Sequence, residues 1–194
     1  MLKKIVRATA LLALVTAFAA PVALAAPAQD HPVAARPAAV TLVSSLEGTA
    51  RLDYPVTSEA VRVSVDAHAV YDNLGSIPAR SWGTFRISHA IQGRDHWGEF
   101  EVDCLTTGGP TATVTGRLVR TSPGHPWTTE LDPHTRMGVS FYVPEHGKGR
   151  HDPARAGLSG ATAKGAPPLT RCMAPAADMA VVAGGYTLRD RESH

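Results

Sequence analysis

Val61-Arg62-Val63-Ser64-Val65-Asp66-Ala67-His68-Ala69 is the stretch that decides the fold of this chain. Apolar residues occupy every second position, and polar side chains fill the positions between them. A period of two places alternate side chains on opposite faces, as in a β-strand with one buried face. The stretch therefore predicts a half-buried strand and not an amphipathic helix, whose period is 3.6 residues.

The same alternation continues on both sides of this stretch. It predicts six further strands and a weaker one, at 46–54, 82–91, 99–104, 111–118, 137–143, 181–188 and, for the weaker one, 156–163. No sustained helical stripe follows residue 26, and tight turns such as 106–110 separate the strands. We predict an all-β domain with about seven or eight strands, either an antiparallel sandwich or a closed barrel, in which no helix exceeds two turns.

The phase of the alternation also predicts which side chains are buried together. A slip of one residue would move a whole set to the surface. The phase places Cys104 on the same face as Phe100, and His89 on the apolar face of its strand, where one backbone hydrogen bond would satisfy the ring. The predicted core is Val63, Val65, Phe85, Ile87, Phe100, Val102, Val114, Leu118, Val139 and Phe141.

A targeting segment precedes the strands. Residues 1–7 carry three basic side chains, residues 8–20 form an uncharged apolar run, and Ala23-Leu24-Ala25 is a small-x-small cleavage pattern. The apolar run is too short for a membrane span, so residues 1–25 are interpreted as a secretory signal peptide. We expect a secreted, extracellular bacterial protein without a membrane span, free in the medium or loosely associated with the cell wall.

The remaining sequence divides into a leader, a domain and a tail. Residues 26–43 are rich in Ala and Pro and predict a flexible leader, 44–190 a single β domain, and 191–194 a charged tail. After the three basic residues of the signal peptide, 16 of the 19 basic residues remain against 17 acidic ones. This balance predicts no nucleic-acid partner, and we expect a monomer whose extracellular or envelope ligand is unknown.

Cys104 and Cys172 are the two cysteines of the chain. An even number of cysteines in an exported protein predicts a disulfide bond, because the compartment is oxidising. The sequence therefore predicts a Cys104–Cys172 bond.

Familiar catalytic and cofactor-binding motifs are missing from the sequence. It contains no GxSxG elbow, HExxH, P-loop or GxGxxG pattern. Glu99, Glu101 and Asp103 share one predicted strand face, where we expect solvated carboxylates that keep the sheet soluble. We therefore assign no catalytic residue and no cofactor, and the sequence favours a protein without enzymatic activity.

Three long loops are rich in Pro, Gly and His, and are either functional or poorly ordered: 122–135, 144–156 and 164–178. His134, His146 and His151 lie in the first two. We expect these imidazoles to lie in solvent and to bind no metal, because zinc needs several ligands on a supported scaffold.

The three tryptophans are the other candidates for recognition. Trp127 lies in the first long loop, and we expect it to be the exposed one. Trp82 and Trp97 flank a predicted hairpin, so packing against each other across adjacent strands explains them at least as well as a sugar-stacking platform formed by the three tryptophans. Trp127 and the three loop histidines are therefore the candidates for surface interaction.

Part of the chain resembles a known group of proteins. The carrying motifs are Val65-Asp66-Ala67-His68-Ala69, Gly83-Thr84-Phe85-Arg86-Ile87-Ser88-His89, Phe100-Glu101-Val102-Asp103-Cys104-Leu105 with Gly108-Gly109, and Ala112-Thr113-Val114-Thr115-Gly116. The pattern is similar to small secreted β-domain proteins of Gram-positive bacteria labelled repetin, and to post-COAP domains. The resemblance implies a secreted β domain in which an early and a late Cys pair, and it implies no catalytic residue.

Three hypotheses about function follow. The first, which the sequence favours, is a non-catalytic secreted β domain that binds an extracellular or envelope partner through its loops or a sheet face. The second is a calycin-like barrel that holds a small apolar ligand, which a cavity in the structure would favour. The third is a secreted hydrolase, which would need a buried carboxylate or His with a strongly shifted pKa in a cleft.

Overall fold

The computed structural model of this chain describes residues 41–72, 75–145 and 152–191. Its strands are β1 Thr41–Leu52, β2 Ala60–Asp72, β3 Arg80–Ile91, β4 Arg94–Gly108, β5 Thr111–Thr121, β6 Arg136–Tyr142, β7 Arg155–Leu158 and β8 Met179–Arg189. Each strand pairs antiparallel with the next, and β8 pairs with β1. The predicted all-β fold is confirmed, and of the two predicted architectures the chain adopts the closed barrel.

The barrel interior holds the predicted core. Nine of the ten predicted side chains are buried, and Leu118 is partly buried and packs against the others. Phe85 and Phe100 stack at the centre with ring centroids 4.7 Å apart. Because inward and outward side chains alternate along every strand of a barrel, the period of two was sufficient to identify this set.

Several predicted boundaries differ from those of the structure. β1 begins at Thr41, inside the predicted leader, and β7 begins at Arg155, inside the predicted loop 144–156. The helix α1, Trp127–Glu130, is the longest among the described residues and has one turn, as predicted. The predicted signal peptide, the leader up to residue 40 and residues 192–194 lie outside the described residues.

A β-bulge places Cys104 on the outer wall, so its predicted position beside Phe100 is wrong. The pairing of β4 with β5 shifts by one residue between Val102 and Cys104, which leaves Asp103 as the additional residue. A bulge of this kind reverses the alternation beyond it. Leu105 therefore faces inward opposite Val114, while Cys104 turns outward and is nevertheless fully buried.

Residues 169–176, the outer strap, bury this part of the wall. Cys172 in the strap is bonded to Cys104, with 5.3 Å between the Cα atoms, which confirms the predicted disulfide. Gly138 and Gly157 lie beneath the strap, where a Cβ on Gly157 would come within 1.9 Å of the Ala176 carbonyl oxygen. The absence of side chains here allows the strap to lie directly on the sheet.

Hydrogen bonds join several segments at the end of the barrel where β2 passes to β3 and β4 to β5. Tyr71 is fully buried there, and its hydroxyl donates a 2.8 Å hydrogen bond to the Leu105 carbonyl. The Asp190 carboxylate accepts hydrogen bonds from Thr107 and from the Gly109 backbone. These contacts tie the residue after β8 to the turn between β4 and β5, and we call this side the far end.

Ser44 leaves an unsatisfied hydroxyl in the barrel. Its side chain is 1% exposed, and Oγ has no hydrogen-bond partner among the described residues. Because such a group costs roughly 1–3 kcal/mol, Ser44→Ala should raise the free energy of unfolding by about 1 kcal/mol in urea denaturation. The control Ser64→Ala removes a hydroxyl bonded to Thr49 and should give no gain. A loss of stability in Ser44→Ala would contradict the prediction.

Candidate functional site

A pocket of about 570 Å³ lies at the other end of the barrel, where β1 passes to β2, β3 to β4, β5 to β6 and β7 to β8. We call it the mouth pocket. Its apolar lining comes from the strand ends and is formed mainly by Val61, Ile87, Ile91, Met137, Leu158 and Met179. Val61, Ile87 and Met137 are buried, so they form the floor where the core ends. A site at the mouth of a barrel is a common place for a small ligand.

Trp127 forms one wall of the mouth pocket. It packs against the core, with its ring 6.1 Å from that of Phe100, and it is only partly exposed. A Cβ on Gly98 would come within 2.5 Å of the indole, so the glycine makes room for the ring. The expectation that Trp127 is the exposed tryptophan is wrong, because the helix α1 turns it inward.

Three imidazoles line the same pocket. His89 and His96 lie directly opposite each other on β3 and β4, and the His96 ring meets the His125 ring edge to face with centroids 5.6 Å apart. The tight turn after Ile91 sets the register of β3 and β4, which places His89 opposite His96. The loop after β5 brings His125 to the same end of the barrel, although His125 is distant in sequence from the other two.

His125 is the most constrained of the three. It is 7% exposed, and its Nδ1 accepts a 3.0 Å hydrogen bond from the backbone N–H of Trp127. Burial lowers the pKa of His125, and the neighbouring His96 lowers it further, against an opposing effect of Glu130. Burial and His96 thus favour the neutral ring of His125 at the edge of the apolar pocket.

His89 does not make the backbone hydrogen bond that was expected. Its Nε2 lies 2.5 Å from Oε2 of Glu59, and its ring meets Tyr54 edge to face with centroids 5.0 Å apart. The correction has a simple cause: His89 is near the end of β3, where the core gives way to the mouth, and a carboxylate from the β1–β2 connection reaches it. His89 lines the pocket and is not a core residue.

The two strand tryptophans lie on the outer wall and do not pack against each other as expected. The β3–β4 register places Trp97 opposite Ser88, six residues along β3 from Trp82. Instead, the Arg86 guanidinium lies 4.2 Å from the Trp97 ring centroid, and Trp82 stacks on His68. Trp82 is 37% exposed and is the more accessible of the two.

The predicted surface residues lie apart from the mouth pocket, except for Trp127. His134 is exposed, in a turn with a φ of 58°, and does not line the pocket. His146 and His151 lie outside the described residues. Within the described ranges, no group of three or more His, Cys, Asp or Glu side chains could hold a metal ion.

The outer-wall carboxylates are engaged in ion pairs. Glu99 accepts hydrogen bonds from Arg86 and Arg120, which lower the pKa of its carboxyl. Asp103 accepts a 2.7 Å hydrogen bond from Nε of Arg136. A general acid needs a raised pKa, so Glu99 does not have the environment that the hydrolase hypothesis requires.

Sequence reasoning missed the histidines of the mouth pocket. His96 and His125 were not candidates, although His89 and His96 flank the Gln92-Gly93 turn at equal distances. That symmetry was the available signal, because residues equidistant from a tight hairpin turn oppose each other. Nothing in the sequence indicated that His125 would join them.

Comparison with known proteins assigns neither a family nor a function to this chain. No protein family, no curated protein and no solved structure matches this chain. In the described part of the chain, no helix has the length and apolar character needed to cross a membrane.

Proposed function

We propose that this protein is a secreted, non-catalytic barrel that binds a small apolar molecule in the mouth pocket. The observation that carries the proposal is the pocket itself, a largely apolar recess of about 570 Å³ at one end of the barrel. Its volume falls in the range of roughly 300–1,000 Å³ that is typical of sites for small ligands. The second of the three hypotheses, the calycin-like barrel, is thereby favoured.

Two features of the wall support binding over catalysis. Glu99 and Asp103 are engaged by arginines on the outer wall of the barrel and do not line the mouth pocket. The residues that line the pocket are mostly aliphatic and aromatic, with a few imidazoles at the edge. Such a lining is suited to excluding water from an apolar ligand, since burial of apolar surface drives association.

The proposed compartment and relationship rest on the sequence. The signal-peptide pattern of residues 1–25 supports secretion, and a disulfide is typical of an oxidising compartment. The bond joins the two cysteines that the resemblance to the repetin group pairs. We therefore propose membership of that group and release into the medium or loose retention at the cell wall.

Binding can be tested with Nile red, an uncharged apolar dye whose fluorescence rises on transfer out of water. The purified protein should bind one dye per chain with a Kd in the micromolar range. Ala161→Trp should weaken this binding at least tenfold, because residue 161 lines the pocket and a large side chain would fill it.

Ala166→Trp is the matched control. Ala166 is exposed in the same β7–β8 connection but does not line the pocket. This variant should bind the dye as the wild type does. Absence of dye binding to the wild type, or equal binding to both tryptophan variants, would overturn the proposed function.

A further inference from the structure

The neutral imidazole of His125 restricts what the mouth pocket can recognise. Nδ1 of His125 accepts the Trp127 backbone N–H, so the single proton of a neutral ring is on Nε2. A doubly protonated ring would oppose one N–H to another at this contact. The backbone of the loop thus fixes one tautomer, in which Nε2 is a hydrogen-bond donor.

The Nε2 donor is available to a ligand. It has no hydrogen-bond partner among the described residues, although the residue as a whole is 7% exposed. Nε2 is not completely buried, in contrast to the unpaired Oγ of Ser44. His125 lines the mouth pocket, so its ring lies at the pocket wall.

The charges around the pocket disfavour an anion. No Lys or Arg occurs among the described residues that line it, whereas Glu130 does. A carboxylate-bearing ligand would lose its hydration without gaining a cationic partner, and that desolvation is costly. Nε2 of His89 already lies against the Glu59 carboxylate, so it is not free to pair with a ligand carboxylate.

We propose that the mouth pocket selects uncharged, apolar molecules that carry a hydrogen-bond acceptor of the carbonyl type, which accepts the Nε2–H of His125. The inference rests on the proposed function, because it specifies the ligand class of the same pocket. An apolar body contacts Trp127 and the aliphatic floor, and the acceptor lies at the edge beside His125. The donor provides orientation and selectivity, while the apolar contacts provide most of the affinity.

Three naphthalenes of matched size test this inference: 2-acetylnaphthalene carries a ketone, 2-isopropenylnaphthalene is its hydrocarbon isostere, and 2-naphthoate is an anion. Their dissociation constants can be measured by displacement of Nile red or by calorimetry. His125→Phe should weaken binding of the ketone by about three- to tenfold, because a net hydrogen bond contributes about that factor. Binding of the hydrocarbon should change less than twofold.

A second variant separates the donor from the fold of the loop. His125→Asn retains an acceptor for the Trp127 N–H and a donor for the ligand, so it should keep most of the ketone affinity. In the wild type, 2-naphthoate should bind at least tenfold more weakly than the ketone. The inference would be overturned if His125→Phe lost affinity for the ketone and the hydrocarbon equally. It would also be overturned if His125→Asn bound the ketone as weakly as His125→Phe does, or if the wild type bound 2-naphthoate more tightly than the ketone. Failure of all three compounds to bind would overturn the proposed function itself.

Discussion

Replacing both cysteines with alanine should lower the free energy of unfolding by about 4 kcal/mol. The disulfide joins residues 68 positions apart, and a cross-link over such a long loop removes much of the conformational entropy of the unfolded chain. The effect should exceed that of most single substitutions, whose cost is commonly about 0.5–3 kcal/mol.

The loss should be measured by urea denaturation of Cys104→Ala/Cys172→Ala against the wild type. Reduction of the wild type should produce a similar loss, whereas the double variant should not respond to the reductant. The exposed Met173, next to Cys172 in the strap, gives the control Met173→Ala, which should change stability by less than about 0.5 kcal/mol. If the double variant lost less than about 1 kcal/mol in the free energy of unfolding, the disulfide would contribute little to the stability of the fold.

Phe100→Ala should lower the free energy of unfolding by about 3–5 kcal/mol. Phe100 is fully buried between the stacked ring of Phe85 and the edge of Trp127, so truncation leaves a cavity that neighbouring strands cannot close. The same substitution should also weaken Nile red binding, because Trp127 would lose its support at the pocket wall.

The control for this prediction is Val119→Ala on β5. Val119 is 47% exposed, and its truncation should change stability by less than about 0.5 kcal/mol. Equilibrium denaturation followed by circular dichroism gives both values. A cost under 1 kcal/mol for Phe100→Ala would mean that the barrel repacks around the missing ring.

The fold was predictable because its dominant signal is local. A period of two repeats in strand after strand, and each inward residue can be read from its neighbours, as the buried Val63, Val65 and Phe141 illustrate. The prediction failed where one extra residue reversed the phase. Asp103 looks like any other outward position in the sequence, and only the pairing with β5 reveals the bulge that turns Cys104 outward.

The candidate site was less predictable because it is assembled from distant segments. His89, His96, His125 and Trp127 belong to three different parts of the chain and meet only because every second connection of the barrel lies at the same end. The Pro- and Gly-rich loop around Trp127 suggested an exposed side chain, but residues from distant segments cover part of the ring. The room for its ring comes from Gly98, a residue on another strand.

The pairing of β1 with β8 places both ends of the described barrel opposite the mouth pocket. Thr41 pairs with Asp72 at the far end, and Arg189 at the end of β8 pairs with Ser45 on β1. A solid support joined directly to the barrel at either of these strand ends would therefore leave the mouth pocket on the side away from the support. Immobilisation at these positions would keep the proposed binding site accessible without any rearrangement of the described strands.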